Sequence, residues 1–480
     1  MKAIKTSGIG DESFEQETRL KQSEYSVNIP TRFCCEGKWR KGWINVTNPF
    51  RGTMVLGAPG SGKSFAVVNT YIKQLIAHGN ALYVYDYKFP DLTRIVFNHY
   101  RLHPEGYSVK PQVYIVNFDD LRTSHRCNPV HPALMTDISE AYESACAVLF
   151  NLNRAWAQQQ DDFCVKSVAT LLAATIWYLK LYQRKRCTFP HAVELLNKKL
   201  DDVLTILTSC AELEEYLSPF MSAWGGEAHG QLQQQVEAAK MLLSSMISPP
   251  LYWVMSGNDF TLDINNPQAP KVLCVGGSPS MQARYAAALG LYSVRVARLI
   301  NKPRQHKCAV VVDELPSLYF HQLDHLLATC AGMKIAICLS LQDFSQLEES
   351  YGRMGATAIM AVINNVFSGQ VAGSTAEMLS TRLGIIPASK IAALPQGTFV
   401  GSTFENFKQT PFHAAIAVDA DKIKADEARY AELPIIYAAD DLSEMVDENF
   451  VQIQVEASQI VEDELRRIGV KQAGNGRQKN

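Results

Sequence analysis

The stretch Gly57, Ala58, Pro59, Gly60, Ser61, Gly62, Lys63, Ser64 constrains this chain more than any other. It satisfies the pattern G-x-x-x-x-G-K-[ST], follows the short apolar run Met54, Val55, Leu56, and opens an apolar-periodic helix expected over residues 64–78. The spacing has a physical reason. Glycines let consecutive backbone N–H groups converge on phosphate oxygens, and the helix N-terminus adds partial positive charge at the same place. Lys63 is placed to reach the β and γ phosphates, Ser64 to ligate magnesium, and the run from Gly57 through Phe65 to contact a nucleotide. From average residue usage, a chance match in a chain this long arises on the order of once in fifty. A Gly79/Asn80 stop and a second apolar run over 81–85 complete a strand–helix–strand unit, which predicts an α/β fold with a parallel sheet covered on both faces.

The texture then changes twice. A third strand is expected over 113–118, before Asp119 and Asp120. From about residue 137 glycine and proline become rare, and helical periodicity marks 139–159, 163–182, 190–207 and 231–247. Strands resume at 272–275, 308–312 and 335–341, with helices over 280–300 and 322–331 and a last strand over 412–418. These shifts divide the chain into a polar arm (1–37), a nucleotide-binding part (38–134), an all-alpha insertion (135–258), a second nucleotide-binding part (259–430) and an acidic tail (431–480).

Composition bounds the class. The 480 residues, 47% hydrophobic and 20% charged, suit a globular chain with more than one core. A net charge of -2 gives no global positive field, so any nucleic-acid contact must be local. The 11 cysteines are scattered without C-x-x-C spacing, which predicts reduced thiols. The longest uncharged apolar run, 167–179, ends at Lys180 and is too short to span a bilayer, and the N-terminus turns polar by Gly10 and Asp11, so a soluble, unprocessed cytoplasmic chain is expected.

The apolar run 308–312 ends in Asp313 and Glu314. In P-loop proteins the strand beside the P-loop ends in an acidic residue that holds the magnesium shell, and a following glutamate can activate water. Asp313 is thus a candidate metal residue and Glu314 a candidate catalytic base, the other reading being that both cap the next helix. The paired acids favour hydrolysis with turnover, and no N-K-x-D for guanine is present. Gln342, at the tip of the neighbouring strand and followed by Asp343, is placed to sense a γ-phosphate. Asp86 and Lys88 lie at the same sheet edge, as ligand contacts or as a surface ion pair. His321 and His325 have no third ligand in view. Arg184, Lys185 and Arg186, near Tyr178 and Tyr182, read either as a backbone-tracking patch or as a solvated helix end.

Taken together, Asn48 to Gly52 leading into the P-loop, Asp86-Tyr87-Lys88, Cys127-Asn128-Pro129, Val311 to Leu315, and Ser340 to Leu347 leading to Tyr351 and Gly352 resemble the type IV coupling proteins of conjugation, the TraG/TraD group. The segment 252–266 and the Asn48 to Gly52 lead-in are similar to the branch of Bacteroidetes conjugative elements. The resemblance covers roughly residues 43–412. It implies a RecA-like ATPase core interrupted by an all-alpha domain, using ATP and Mg²⁺ and assembling as a homo-hexamer on the cytoplasmic side of the inner membrane. Its partners would be a relaxase and relaxosome, single-stranded DNA and the channel proteins of a type IV secretion system. Lys63, Ser64, Asp313, Glu314 and Gln342 each match the family's motif positions.

Two departures stand out. Such proteins usually begin with a transmembrane region, and none precedes Trp43, which makes anchoring depend on a missing segment or a partner. The position where some relatives carry an arginine acting on a neighbour's ATP holds Thr329 to Gly332, leaving Arg353 and Arg382 as candidates. Two other functions remain open on sequence: a nucleotide-gated docking platform for the relaxase, and a related DNA or protein translocase.

Overall fold

The structure, a computed structural model, describes residues 13–405, 408–438 and 440–469, less the side chains of Ala420 and Lys422. The N-terminal dozen residues read as an unprocessed start, and the closing 470–480, lie outside them. One eleven-stranded sheet organises the molecule. Its strands are β1 (Val27–Cys35), β2 (Lys38–Val46), β3 (Thr53–Leu56), β4 (Ala81–Asp86), β5 (Gln112–Val116), β6 (Lys271–Gly276), β7 (Cys308–Val312), β8 (Ile335–Leu341), β9 (Asn365–Ser368), β10 (Thr398–Glu405) and β11 (Lys408–Ile416). The order is β2-β1-β11-β10-β9-β3-β8-β7-β4-β6-β5, parallel from β9 to β5 and antiparallel from β9 to β2.

The strands β3, β4, β6, β7 and β8 are buried along their whole length, as their mainly apolar sequences require. Alternate side chains feed two cores. Met54, Leu56, Tyr83, Tyr85, Val310 and Val312 join one, while Val55, Leu82, Val84, Ala309 and Val311 join the other with the P-loop helix residues Val67, Ile72 and Ile76. The first core is continuous with a block of helices that leaves the sheet after β5, runs from Ile138–Leu152 to Pro249–Ser256, and returns at β6. Within it, Phe163–Tyr182 is long and apolar enough to cross a membrane, yet 78% of its most apolar stretch is buried in the protein, as expected of a core helix. The run expected over 167–179 is thus the centre of a longer element, capped by Asp162, whose carboxylate accepts from the Cys164 and Val165 N–H groups.

Three readings are corrected. The polar arm (1–37) contains β1, which pairs with β2 along its length and with β11; its buried Val27, Ile29 and Phe33 are diluted in sequence by polar residues, of which Asn28 and Thr31 are buried too. The acidic tail (431–480) contains the helix Leu442–Arg467, whose Val446, Ile453, Ala457, Ile460 and Leu465 are buried against the helical block. Glu456 of this helix pairs with Arg186 (3.3 Å) and His191 (3.0 Å), so the basic cluster at 184–186 is partly engaged. Finally, the strand beside the P-loop strand is the glutamine-ended β8, and the acidic-ended β7 lies one place further. Likewise β4, next after the P-loop helix in sequence, is separated from β3 by both.

Candidate functional site

At the carboxyl ends of β3, β8 and β7 the chain brings together the residues singled out from sequence. The P-loop turns immediately after β3. At Gly57 an added Cβ would lie 2.4 Å from Ser61 Oγ, and Gly62 holds φ 96°, so both positions demand glycine. The loop is braced from neighbouring strand ends: Gly57 N–H donates to Gln342 O (3.3 Å), Ala58 N–H to Gln370 O (2.8 Å), and Gly397 N–H to Ser61 O (3.0 Å). Pro59 and Gly60 are exposed at its tip, while Ser61 and Lys63 are buried. Lys63 opens a helical segment of π spacing, Lys63–Val68, that continues as the α-helix Asn69–Ala77. Ser64 is half-buried in its first turn and Phe65 is exposed beside it.

Lys63 Nζ donates to Gly57 O (3.1 Å) and lies 3.7 Å from Glu314 Oε2. Gln342 Nε2 donates to that same Oε2 (3.0 Å). Asp313 sits one residue earlier, accepting from Ser340 Oγ (3.3 Å), a buried polar position on β8. Lys63, Asp313, Glu314 and Gln342 therefore share one cluster, joined through residues of β8 that a strand-by-strand reading of the sequence does not place between them.

The electrostatics are those of a site short of counter-charge. Burial pushes the Lys63 ammonium below the ordinary lysine range, against the pull of Glu314 and Asp313. Burial, then the neighbouring Glu314, raises Asp313. Ser61 Oγ is buried with no hydrogen-bond partner. A cradle of backbone N–H groups, a lysine bonded to a carbonyl, an unused hydroxyl and a destabilised carboxylate suit a polyphosphate with a hard cation.

Other candidates find different roles. Asp86 is fully buried, not part of a surface ion pair: its Oδ2 accepts from Thr93 N–H and Oγ1, both at 2.8 Å, and burial raises its carboxyl to about 7. Lys88 is exposed. Asp343 caps the helix Phe344–Val362, accepting from Ser345 N–H (2.9 Å) and Thr375 Oγ1 (2.8 Å). Arg382 is no candidate for reaching a neighbouring subunit, because its guanidinium is tied to Met360 O (3.0 Å) and Ile363 O at the end of that helix. Arg353 is exposed beside Gly352, where the helix is broken. His321 is buried against the rings of Phe150 and Tyr319.

Residues 5–237 match the family described as type IV secretory system conjugative DNA transfer, and residues 307–390 match the TraM recognition site of TraD and TraG. Among solved structures, the unbound bacterial conjugative coupling protein TrwBdeltaN70 superposes with a TM-score of 0.61 at 17% identity, covering 77% of this chain and 86% of that one. Plasmid coupling protein TrwB with the GTP analogue GDPNP gives 0.61 at 16% identity, and with ADP and Mg²⁺ 0.60 at 17%; each covers 80% of this chain and 89% of the other. At these identities the likeness speaks for the fold. No curated protein matches the chain. With both family matches in chain order on a fold shared with TrwB, the chain belongs to the type IV coupling proteins, the TraG/TraD group that serves conjugative DNA transfer.

Proposed function

We propose that this coupling protein binds ATP with Mg²⁺ at the P-loop and hydrolyses it to drive a relaxase-bound single DNA strand toward a type IV secretion channel. The observation that carries the reading is the convergence of Lys63, Asp313, Glu314 and Gln342 on one buried edge of the sheet. The P-loop from Gly57 to Phe65 would hold the nucleotide, Lys63 exchanging Gly57 O for phosphate oxygen, with Ser64 and Asp313 as the cation's protein ligands. Mg²⁺ would supply neutralisation of the charge developing on the transferred phosphoryl group. Glu314 accepts a proton from water at Oε1, because Oε2 already receives the Gln342 amide and faces Lys63. Gln342 orients that carboxylate, with Lys63 Nζ 3.7 Å from the same oxygen. The TrwB structures in complex with ADP and Mg²⁺ and with GDPNP support nucleotide binding by this chain.

The assembly proposed with this chemistry is a homo-hexamer on the cytoplasmic side of the inner membrane, meeting the relaxosome and the secretion channel. The domain limits 38–134 and 259–430 for the nucleotide-binding parts and 135–258 for the all-alpha part are proposed with it. Steady-state hydrolysis by the purified chain tests the site. Glu314→Gln should retain nucleotide binding and lose roughly 10²-fold or more in kcat, and Lys63→Ala should lose binding as well. Wild-type turnover by either variant contradicts the assignment.

A further inference from the structure

The loop that follows Glu314 is held in place by the helical block. Glu314 itself sits in the left-handed region, φ 51° and ψ 63°, which a residue with a Cβ keeps only where its surroundings enforce it. Ser317 N–H donates back to Glu314 O (2.9 Å), closing a tight turn over Leu315–Ser317. The next anchors come from elsewhere in the chain. Arg154 donates through one guanidinium nitrogen to Ser317 O (3.2 Å), with its charge 5.9 Å from the centre of the Tyr319 ring. Gln282 Nε2 donates to the same Ser317 O (3.0 Å), and Ser317 Oγ shares a 2.8 Å hydrogen bond with Tyr85.

Asn151 grips Tyr319 by both backbone groups, donating to its carbonyl (2.8 Å) and accepting from its N–H (2.7 Å). Gly290 makes room for that grip, since a Cβ there would lie 2.2 Å from Asn151 Nδ2. Arg154 and Asn151 thus hold backbone groups three and five residues beyond the candidate base, and both lie where the helices Ile138–Leu152 and Arg154–Gln158 meet. The second amino group of Arg154, Nη1, is buried without a partner, so burying this guanidinium carries a desolvation cost.

We infer that Arg154 and Asn151 are positioning residues for Glu314, fixing the 315–320 loop so that the carboxylate faces Lys63 and Gln342, and making turnover depend on how the helical block is seated. The inference rests on the reading of Glu314 as the group that activates water.

The test measures MgATP hydrolysis by the full chain, with equilibrium binding of a fluorescent ATP analogue measured separately. Arg154→Met keeps the stem and removes the guanidinium; it should lower kcat by about tenfold while leaving KM and analogue affinity within about twofold of wild type. Arg154→Lys, which keeps the charge and a donor, should fall between, with kcat lowered by about two- to fivefold. Unchanged kcat in Arg154→Met, or a loss confined to KM, overturns the inference. If Arg154→Met does not fold, Arg154→Lys decides, and unchanged kcat in that variant overturns it equally. Glu314→Gln separates the layers: wild-type turnover there defeats the Glu314 assignment itself, whereas an inactive Glu314→Gln beside an unimpaired Arg154→Met defeats only the inference.

Discussion

Glu314 Oε2 lies 3.7 Å from one partner, Lys63 Nζ, and 3.0 Å from another, Gln342 Nε2, and that pair of contacts defines the site at the scale of single residues. The P-loop and the two acids are legible in sequence because each is a run of consecutive residues with a fixed meaning. The left-handed backbone of Glu314 and the bond from Ser340 to Asp313 are not, because both follow from how separate segments meet. Asp86 shows the same limit, since its local sequence gives no hint that Thr93 returns to it. Its carboxyl is raised to about 7, so between the ordinary value of about 3.9 and that pH the folded state binds more protons than the unfolded one. Stability from this group is therefore present at acid pH and lost as pH rises through about 7. Denaturation of the nucleotide-free chain should find Asp86→Asn more stable than wild type at pH 8, by as much as a few kcal/mol, with the advantage shrinking toward pH 5. An equal effect at both pH values would refute the shift.

Among the elements, the helix Ile138–Leu152 is tied to the helix Gln282–Ile300 by a buried ion pair. Arg295 NH1 meets Glu140 Oε2 at 2.9 Å, and the remaining guanidinium nitrogens reach Pro129 O and Leu134 O. Glu140→Ala leaves a buried cation unpaired and should cost about 3–5 kcal/mol; chemical denaturation measures it. Glu456 is only half-buried and pairs with the half-buried Arg186 and the buried His191. The docked helix Leu442–Arg467 gains more from Ile460, which is fully buried, and Ile460→Ala should lose about 2–5 kcal/mol by the same measurement.

Legibility varies with the element for a plain reason. The strand β7 is a continuous apolar run, β4 and β8 depart from one only at Asp86 and Ser340, and the helix Phe163–Tyr182 carries its own cap, so all four are read from local pattern. By contrast β9 is four residues with polar ends, and β10 mixes Thr, Gly and Ser among its apolar positions, so neither stands out before its partners are known.

For the molecule as a whole, the order β3-β8-β7-β4 sets the chemistry, because it puts the glutamine strand between the phosphate loop and the acids. No local pattern encodes that order; the P-loop helix and β4 are consecutive in sequence yet the strands they join stand three places apart. Family membership was legible from the ensemble of motifs, and the structure adds how they converge. If the proposed hexamer places each site between subunits, hydrolysis per chain should rise steeply with protein concentration and with single-stranded DNA, and constant activity on dilution without DNA would count against it. The central claim is that turnover at this cluster powers conjugative transfer. The most direct measurement is the mating frequency of cells carrying Glu314→Gln in place of the wild-type chain, at matched protein level. Transfer reduced to that of cells lacking the protein is the predicted result, and wild-type transfer by a variant that no longer hydrolyses ATP would contradict it.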